Sequence, residues 1–190
     1  MRIVAGKFKG LKLTTFDEDN VRPTLDKVRE AIFSKIQFDI KGSNFLDLFG
    51  GTGAVSLEAV SRGADMVCTV DVDNRSVKII KENFAKAKAV PNLLVMNYLD
   101  AIQKLNVLNK KFDFIFLDPP FKTNYGPLAI LEIIKTNILA EDGMIIYEHL
   151  KDDKSFDLSH GYEIVDNKNY GTVQVTYIKR VSAEWKPIKL

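Results

Sequence analysis

From Asn44 onward the apolar residues fall in short runs, separated by longer stretches in which they recur at helical spacing. Phe45–Phe49, Met66–Val70, Leu93–Met96, Phe112–Leu117 and Met144–Glu148 predict strands. Ala54–Ser61, Asn74–Lys86, a short stretch from Asp100 and Leu128–Thr136 predict the helices between them. Such alternation specifies a parallel sheet with helices on both faces, an α/β fold. Tyr162–Val165 and Thr172–Ile178, joined through Asn167-Lys168-Asn169-Tyr170-Gly171, predict an antiparallel hairpin closing the sheet. Upstream the pattern differs. Ile3-Val4 and Leu11-Lys12-Leu13 flank Gly6-Lys7-Phe8-Lys9-Gly10, a second hairpin pattern. Pro23-Thr24 then opens an amphipathic helix. Thr24 can cap it, Asp26 sits in its first turn, and Leu25, Val28, Ile32 and Ile36 share a face. The expected organisation is an N-terminal hairpin-helix extension over residues 1–41, a core over 42–182 and a tail over 183–190.

Composition narrows the class. The 190 residues suffice for one packed domain, and 46% hydrophobic with 27% charged residues is ordinary for a soluble globular protein. The apolar runs fall short of the ~18 residues of a membrane helix, and the start is basic, without a signal core. A cytoplasmic address and no membrane partner are expected. Cys68 is the one cysteine, so no intrachain disulfide can form, and its apolar run predicts a buried small hydrophobe. With His149 and His160 it cannot complete a zinc site. The net charge of +2 argues weakly for nucleic acid, but its distribution is uneven. Arg2, Lys7, Lys9 and Lys12 share the first twelve residues with no acid, and Lys179, Arg180, Lys186 and Lys189 face Glu184 near the end. A basic arm suits phosphate contacts; a solvated terminus has the same composition.

The densest chemical signal is Asp47-Leu48-Phe49-Gly50-Gly51-Thr52-Gly53, between a predicted strand and a predicted helix. Ligands of doubly wound folds bind there. Glycines admit a ligand to the backbone, and N–H groups at the helix start attract a carboxylate or phosphate. A dinucleotide fingerprint needs a further glycine where Ser56 stands, and Asp47 would repel a pyrophosphate. An acid beside exposed N–H groups suits S-adenosylmethionine, which carries an ammonium, a sulfonium and a carboxylate. Asp71 ends the second strand, close to the roughly 20-residue spacing at which an acid accepts from ribose hydroxyls. Asp73 is the rival, or the cap of the next helix. Asp100, followed by Ala101, is placed to accept from the adenine amine, or to cap its own helix.

Asp118-Pro119-Pro120-Phe121 ends the fourth strand. The prolines hold the backbone rigid and leave carbonyls as fixed acceptors. With the Asp118 carboxylate and the flat Phe121 ring they suit a planar base bearing an amino group. Stacking on an aromatic is worth roughly 1–3 kcal/mol per base. Four acids, Asp47, Asp71, Asp100 and Asp118, thus mark the carboxyl ends of the first four strands.

These motifs resemble the RsmD family of bacterial methyltransferases. The likeness runs through Arg2-Ile3-Val4-Ala5-Gly6, Arg22-Pro23-Thr24 with Val28-Arg29-Glu30 and Phe33, and Asp47-Leu48-Phe49 through Gly53-Ala54. It continues through Leu57-Glu58-Ala59, Ser61-Arg62-Gly63-Ala64, Asp118-Pro119-Pro120-Phe121, Glu148-His149 and Tyr170-Gly171. Two departures preserve the chemistry: Gly50 replaces a small non-glycine residue, and Asp71 stands where Glu is common. The resemblance implies a class I methyltransferase fold, Rossmann-like, with a seven-stranded sheet whose last strand is antiparallel. It implies a target in small-subunit ribosomal RNA, the 2-amino group of a guanine, met as free RNA or in an assembly particle. It also implies that the N-terminal arm meets RNA, with Arg22 and Arg29 joining Arg2, Lys7, Lys9 and Lys12. A monomer is expected. On this reading Asp118 through Phe121 are catalytic, and Asp47, Phe49 through Gly53, Asp71, Asp100 and Ala101 bind the cofactor. The rivals are a DNA adenine amino-group methyltransferase, which would usually need an inserted recognition segment, and a non-catalytic RNA-binding or assembly protein.

Overall fold

The computed structural model describes residues 1–16, 23–152, 158 and 161–181, without the side chains of residues 23–25. Seven strands form one sheet: β1 (Asn44–Asp47), β2 (Met66–Asp71), β3 (Asn92–Val95), β4 (Phe112–Leu117), β5 (Leu139–Leu150), β6 (Tyr162–Tyr170) and β7 (Val173–Arg180). Their order is β3-β2-β1-β4-β5-β7-β6. The first five are mutually parallel, and β7 runs antiparallel to both β5 and β6. Order and directions are those of the class I methyltransferase fold.

The pleat divides the apolar residues between two faces. Leu46, Cys68, Ile115 and Leu117 pack under α4 (Tyr98–Val107) and α5 (Tyr125–Thr136), with Ile102, Leu105, Ile130 and Ile133 as the helical partners. Phe45, Val67, Phe114 and Phe116, one residue out of phase, meet Val28, Ile32 and Phe33 of α1 (Pro23–Lys35). The third cluster joins α2 (Ala54–Ser61) and α3 (Asn74–Lys86) to the arm, through Leu57, Ile80 and Phe84 against Ile3 and Leu13. Cys68 is buried in the first cluster, and burial pushes its thiol up to about 12.

The N-terminal hairpin is a single antiparallel bridge, Arg2 to Lys12, with Gly10 donating to the Ile3 carbonyl at 2.9 Å. It is clamped to α2. Glu58, fully buried, accepts from the backbone N–H of Val4 at 2.8 Å and of Ala5 at 3.0 Å. Ser61 accepts from Phe8 and donates to the Ala5 carbonyl. Gly6, at φ 81, passes so close to α2 that a Cβ there would lie 1.9 Å from the Ser61 carbonyl oxygen. The arm motif and the Leu57-Glu58-Ala59 and Ser61-Arg62 motifs therefore form one contact.

Several boundaries differ from the sequence reading. α4 starts at Tyr98 with Asn97 as cap, so Asp100 lies in the first turn and is not the cap. α5 starts at Tyr125, because Pro127 falls in the first turn, where no N–H is needed. β6 continues to Tyr170; Asn167, Lys168 and Asn169, expected in the turn, pair with β7 instead. Among the described residues, no helix is long and apolar enough to cross a membrane.

Candidate active site

The carboxyl ends of β1, β4 and β5, neighbours in mid-sheet, each deliver one acid. Asp47 ends β1, Asp118 follows β4, and Glu148 stands near the end of β5. The register sets Leu117 beside Tyr147, so Asp118 and Glu148 are the next pair along. All three line one cavity of about 290 Å³. The glycine loop supplies Phe49, Gly50, Gly51 and Thr52 to its wall, α2 supplies Ala54 and Val55, and the arm supplies Met1, Thr15 and Phe16.

Asp47 is 1% exposed, and its Oδ2 accepts from the Ser56 hydroxyl at 2.7 Å. Its Oδ1 is buried without a partner, and so is Glu148 Oε1. Burial drives the Asp47 carboxyl up to about 6, an effect the Ser56 hydrogen bond partly offsets. Burial likewise drives Glu148 up to about 7. Asp118 is enclosed by protein but keeps part of its surface open to the cavity. Burial, then the charges of Glu148 and Asp47, hold it well above the usual carboxylate range. Burial disfavours the ionised form of all three acids, and at Asp118 the two neighbouring carboxyls add to it, so a cation entering the cavity would be favoured.

The surrounding donors complete a fit to S-adenosylmethionine. Helix α2 is capped by Gly53 in the left-handed region (φ 75), where a side chain would be strained, so the cap residue itself covers none of the first N–H groups. Ala54 and Val55 carry such groups to the cavity wall, a place for a carboxylate. Asp47 Oδ1 offers an acceptor for an ammonium. Asp71 braces the loop: its Oδ2 accepts from Gly51 N–H and its Oδ1 from Asp73 N–H, both at 2.8 Å. Asp73 caps α3, accepting from Arg75 N–H at 2.7 Å.

Other expected residues are placed differently. Asp71, Asp100, Ala101 and the Pro119–Phe121 turn do not line the cavity. Asp100 is exposed and pairs with Asn97. Ala101 departs from its expected cofactor role: its side chain is fully buried in the core and its N–H bonds Asn97 within α4. Pro119 is buried, Pro120 accepts from the Thr123 hydroxyl at 2.7 Å, and Phe121 stands 40% exposed. Arg2, Lys7, Lys9 and Lys12 are exposed. Arg29 does not share that open face. It is 4% exposed, donates to the Arg2 carbonyl, pairs with Asp26 at 3.1 Å and lies 3.8 Å from Glu58. Arg22 and the 183–190 tail lie outside the described residues. Met1, Thr15, Phe16, Arg29, Ile32 and Glu148 enter the cavity wall without a local signal for it; of these, Arg29 and Glu148 stand within the family motifs. His149 itself is structural, with its ring held by Leu150 and Thr176 and stacked on Tyr147.

Comparison with known proteins agrees with this geometry. The family model described as conserved hypothetical protein 95 matches residues 1–179. A relative from Buchnera aphidicola, named ribosomal RNA small subunit methyltransferase D, is 36% identical over 149 residues, or 78% of this chain and 75% of its own. One of the same name from Haemophilus influenzae is 31% identical over 179 residues, covering 91% and 90%. Among solved structures, the Escherichia coli protein yhhF superposes with a TM-score of 0.82 at 26% identity, covering 95% of this chain and 97% of that one. The Haemophilus influenzae protein HI0767 gives 0.79 at 29%, covering 95% and 98%. The match spans the arm, the glycine loop and the Asp-Pro-Pro-Phe turn together, and the chain belongs to the RsmD family of S-adenosylmethionine-dependent methyltransferases.

Proposed function

We propose that this protein methylates the exocyclic 2-amino group of a guanine in small-subunit ribosomal RNA. The observation that carries the reading is the Asp118 carboxyl, set between Asp47 and Glu148 on the cavity that the glycine loop also lines. The names of the relatives point to ribosomal RNA of the small subunit.

When bound, S-adenosylmethionine supplies a methyl group on a sulfonium. The chain's part is to fix both reactants. Asp47 Oδ1 accepts from the cofactor ammonium, and the bare start of α2 receives its carboxylate. Asp71 accepts from ribose hydroxyls while keeping Gly51 in place, and Asp100 offers an acceptor at the adenine end. A guanine amine is a poor nucleophile, because its lone pair is delocalised into the ring. Asp118 and the Pro119 carbonyl accept its two hydrogens and turn the lone pair toward the methyl, removing barrier as prepaid orientation. As the nitrogen gains charge, the Asp118 carboxylate stabilises it. The positive charge developing on the amine favours the ionised form of Asp118, which burial and its acidic neighbours oppose. Pro120 and Phe121 make the rigid wall against which the base rests.

A base inside a helix cannot reach this cavity, so the target is unpaired or flipped out. Arg2, Lys7, Lys9 and Lys12, held over α2 by Glu58 and Ser61, meet the flanking phosphates, and Arg22 adds a further cation for them. Residues 1–41 thus serve as the RNA-contacting extension of a 42–182 core, in a cytoplasmic monomer. Parallel incubations of methyl-labelled cofactor with bulk RNA and with DNA, followed by nucleoside analysis, test the reading. Label in N2-methylguanosine of small-subunit RNA is expected. Label in N6-methyladenine, in DNA only or nowhere overturns it.

A further inference from the structure

The mechanism above leaves one buried acid without work. Glu148 is 4% exposed, lines the cavity, and has an Oε1 with no hydrogen-bond partner. A buried, unpaired acceptor costs free energy unless a ligand completes it. Its position narrows the ligand. Glu148 sits one strand over from Asp118 in parallel register, and adjacent strands lie about 4.8 Å apart. Two carboxyls at that separation can accept neighbouring N–H groups on the edge of a single planar base. Guanine presents such a pair: the N1–H and the 2-amino group. Adenine has a bare N1 acceptor, which would meet a carboxylate with repulsion.

We infer that Glu148 is the specificity-determining residue for the target base, accepting the guanine N1–H while Asp118 takes the 2-amino group. The inference rests on the guanine reading above. Glu148 is a positioning residue: it touches the base but not the transferred methyl. A site built to hydrogen-bond a substrate N–H rejects an analogue lacking it, because its buried acceptor is then left unpaired.

The test uses a small-subunit RNA fragment whose methylated guanine is replaced by 2-aminopurine, which keeps the 2-amino group but lacks the N1–H. Wild type should lose about tenfold to a hundredfold in kcat/KM on the analogue, the worth of one hydrogen bond to a charged group. Glu148→Gln should bring the two substrates to within a few-fold, because an amide can accept from N1–H or donate to a bare N1. Comparing the variants cancels the analogue's intrinsic reactivity. S-adenosylmethionine affinity of Glu148→Gln should match wild type, with folding checked by melting. An unchanged discrimination ratio in Glu148→Gln overturns the inference, as does a selective loss of cofactor affinity, which would place Glu148 at the cofactor. A wild type that fails to label guanine N2 defeats the functional reading instead, before the variant is needed.

Discussion

The Ser56 hydroxyl donates to Asp47 Oδ2 at 2.7 Å, and Thr69 donates to Ser56 at the same distance. This buried relay fixes the carboxyl and leaves Oδ1 as a preset acceptor at the cavity wall. Asp47→Asn keeps the shape and removes the charge. Its S-adenosylmethionine affinity should fall by about 1.5–3 kcal/mol, the scale of a hydrogen bond to a charged group. Calorimetry giving the parent affinity would exclude Asp47 as the cation acceptor.

The same burial sets a pH dependence. Asp47 is raised from 3.8 to about 6 and Glu148 from 4.5 to about 7. Between those limits the ligand-free folded state keeps protons that the unfolded chain has released. Their contribution to stability is therefore full below the unfolded values and lost as pH rises through the folded ones. The cofactor ammonium prefers Asp47 ionised, so its affinity runs the opposite way. The rise in melting temperature on adding S-adenosylmethionine should be larger at about pH 7 than at about pH 5, by linkage. An equal rise at both would show that Asp47 does not face the cofactor.

Asp71 acts twice, on the loop and on the proposed ribose. Asp71→Ala should weaken the cofactor by a few kcal/mol, as hydrogen bonds to a charged group are lost and Gly51 N–H loses its acceptor. Calorimetry checks this, and unchanged affinity would remove the ribose role.

How much of this was legible varies with the physics involved. Helices α2 and α3 and strand β4 stand where the apolar periodicity put them: α3 buries one face, while α2 and β4 are apolar runs buried nearly throughout. β5 begins at Leu139 rather than Met144, since Glu141-Asp142-Gly143 interrupts the apolar run without breaking the strand. β6 is a mostly polar edge strand held by backbone pairing to β7, which leaves little pattern in its side chains. The acids at strand ends were readable from spacing. Glu148 was not singled out, because one acid closing an apolar strand carries no local mark of the cavity beside it. The family resemblance places Arg29 among the RNA-contacting cations; its burial against Glu58, Asp26 and the Arg2 carbonyl depends on contacts made only by the folded chain.

The arm's cations are exposed while its backbone is clamped, the arrangement of a presented basic surface. Neutralising Arg2, Lys7, Lys9 and Lys12 together should weaken RNA binding. The salt dependence should flatten by close to one unit of slope per lost phosphate contact, with cofactor affinity unaltered. A salt slope equal to the parent's would mean that the arm is only solvated.

The central claim is that Asp118 engages the target amine as its charge develops. Such an interaction appears in the rate constant and not in cofactor binding. The most direct measurement is single-turnover methylation of RNA by Asp118→Ala, shown by melting to be folded. The rate should fall by roughly a hundredfold or more, the loss seen when one preorganised electrostatic partner is removed, with S-adenosylmethionine affinity nearly unchanged. A folded variant that methylates at close to the parent rate would contradict the account and reduce the Asp-Pro-Pro-Phe turn to a rigid wall of the cavity.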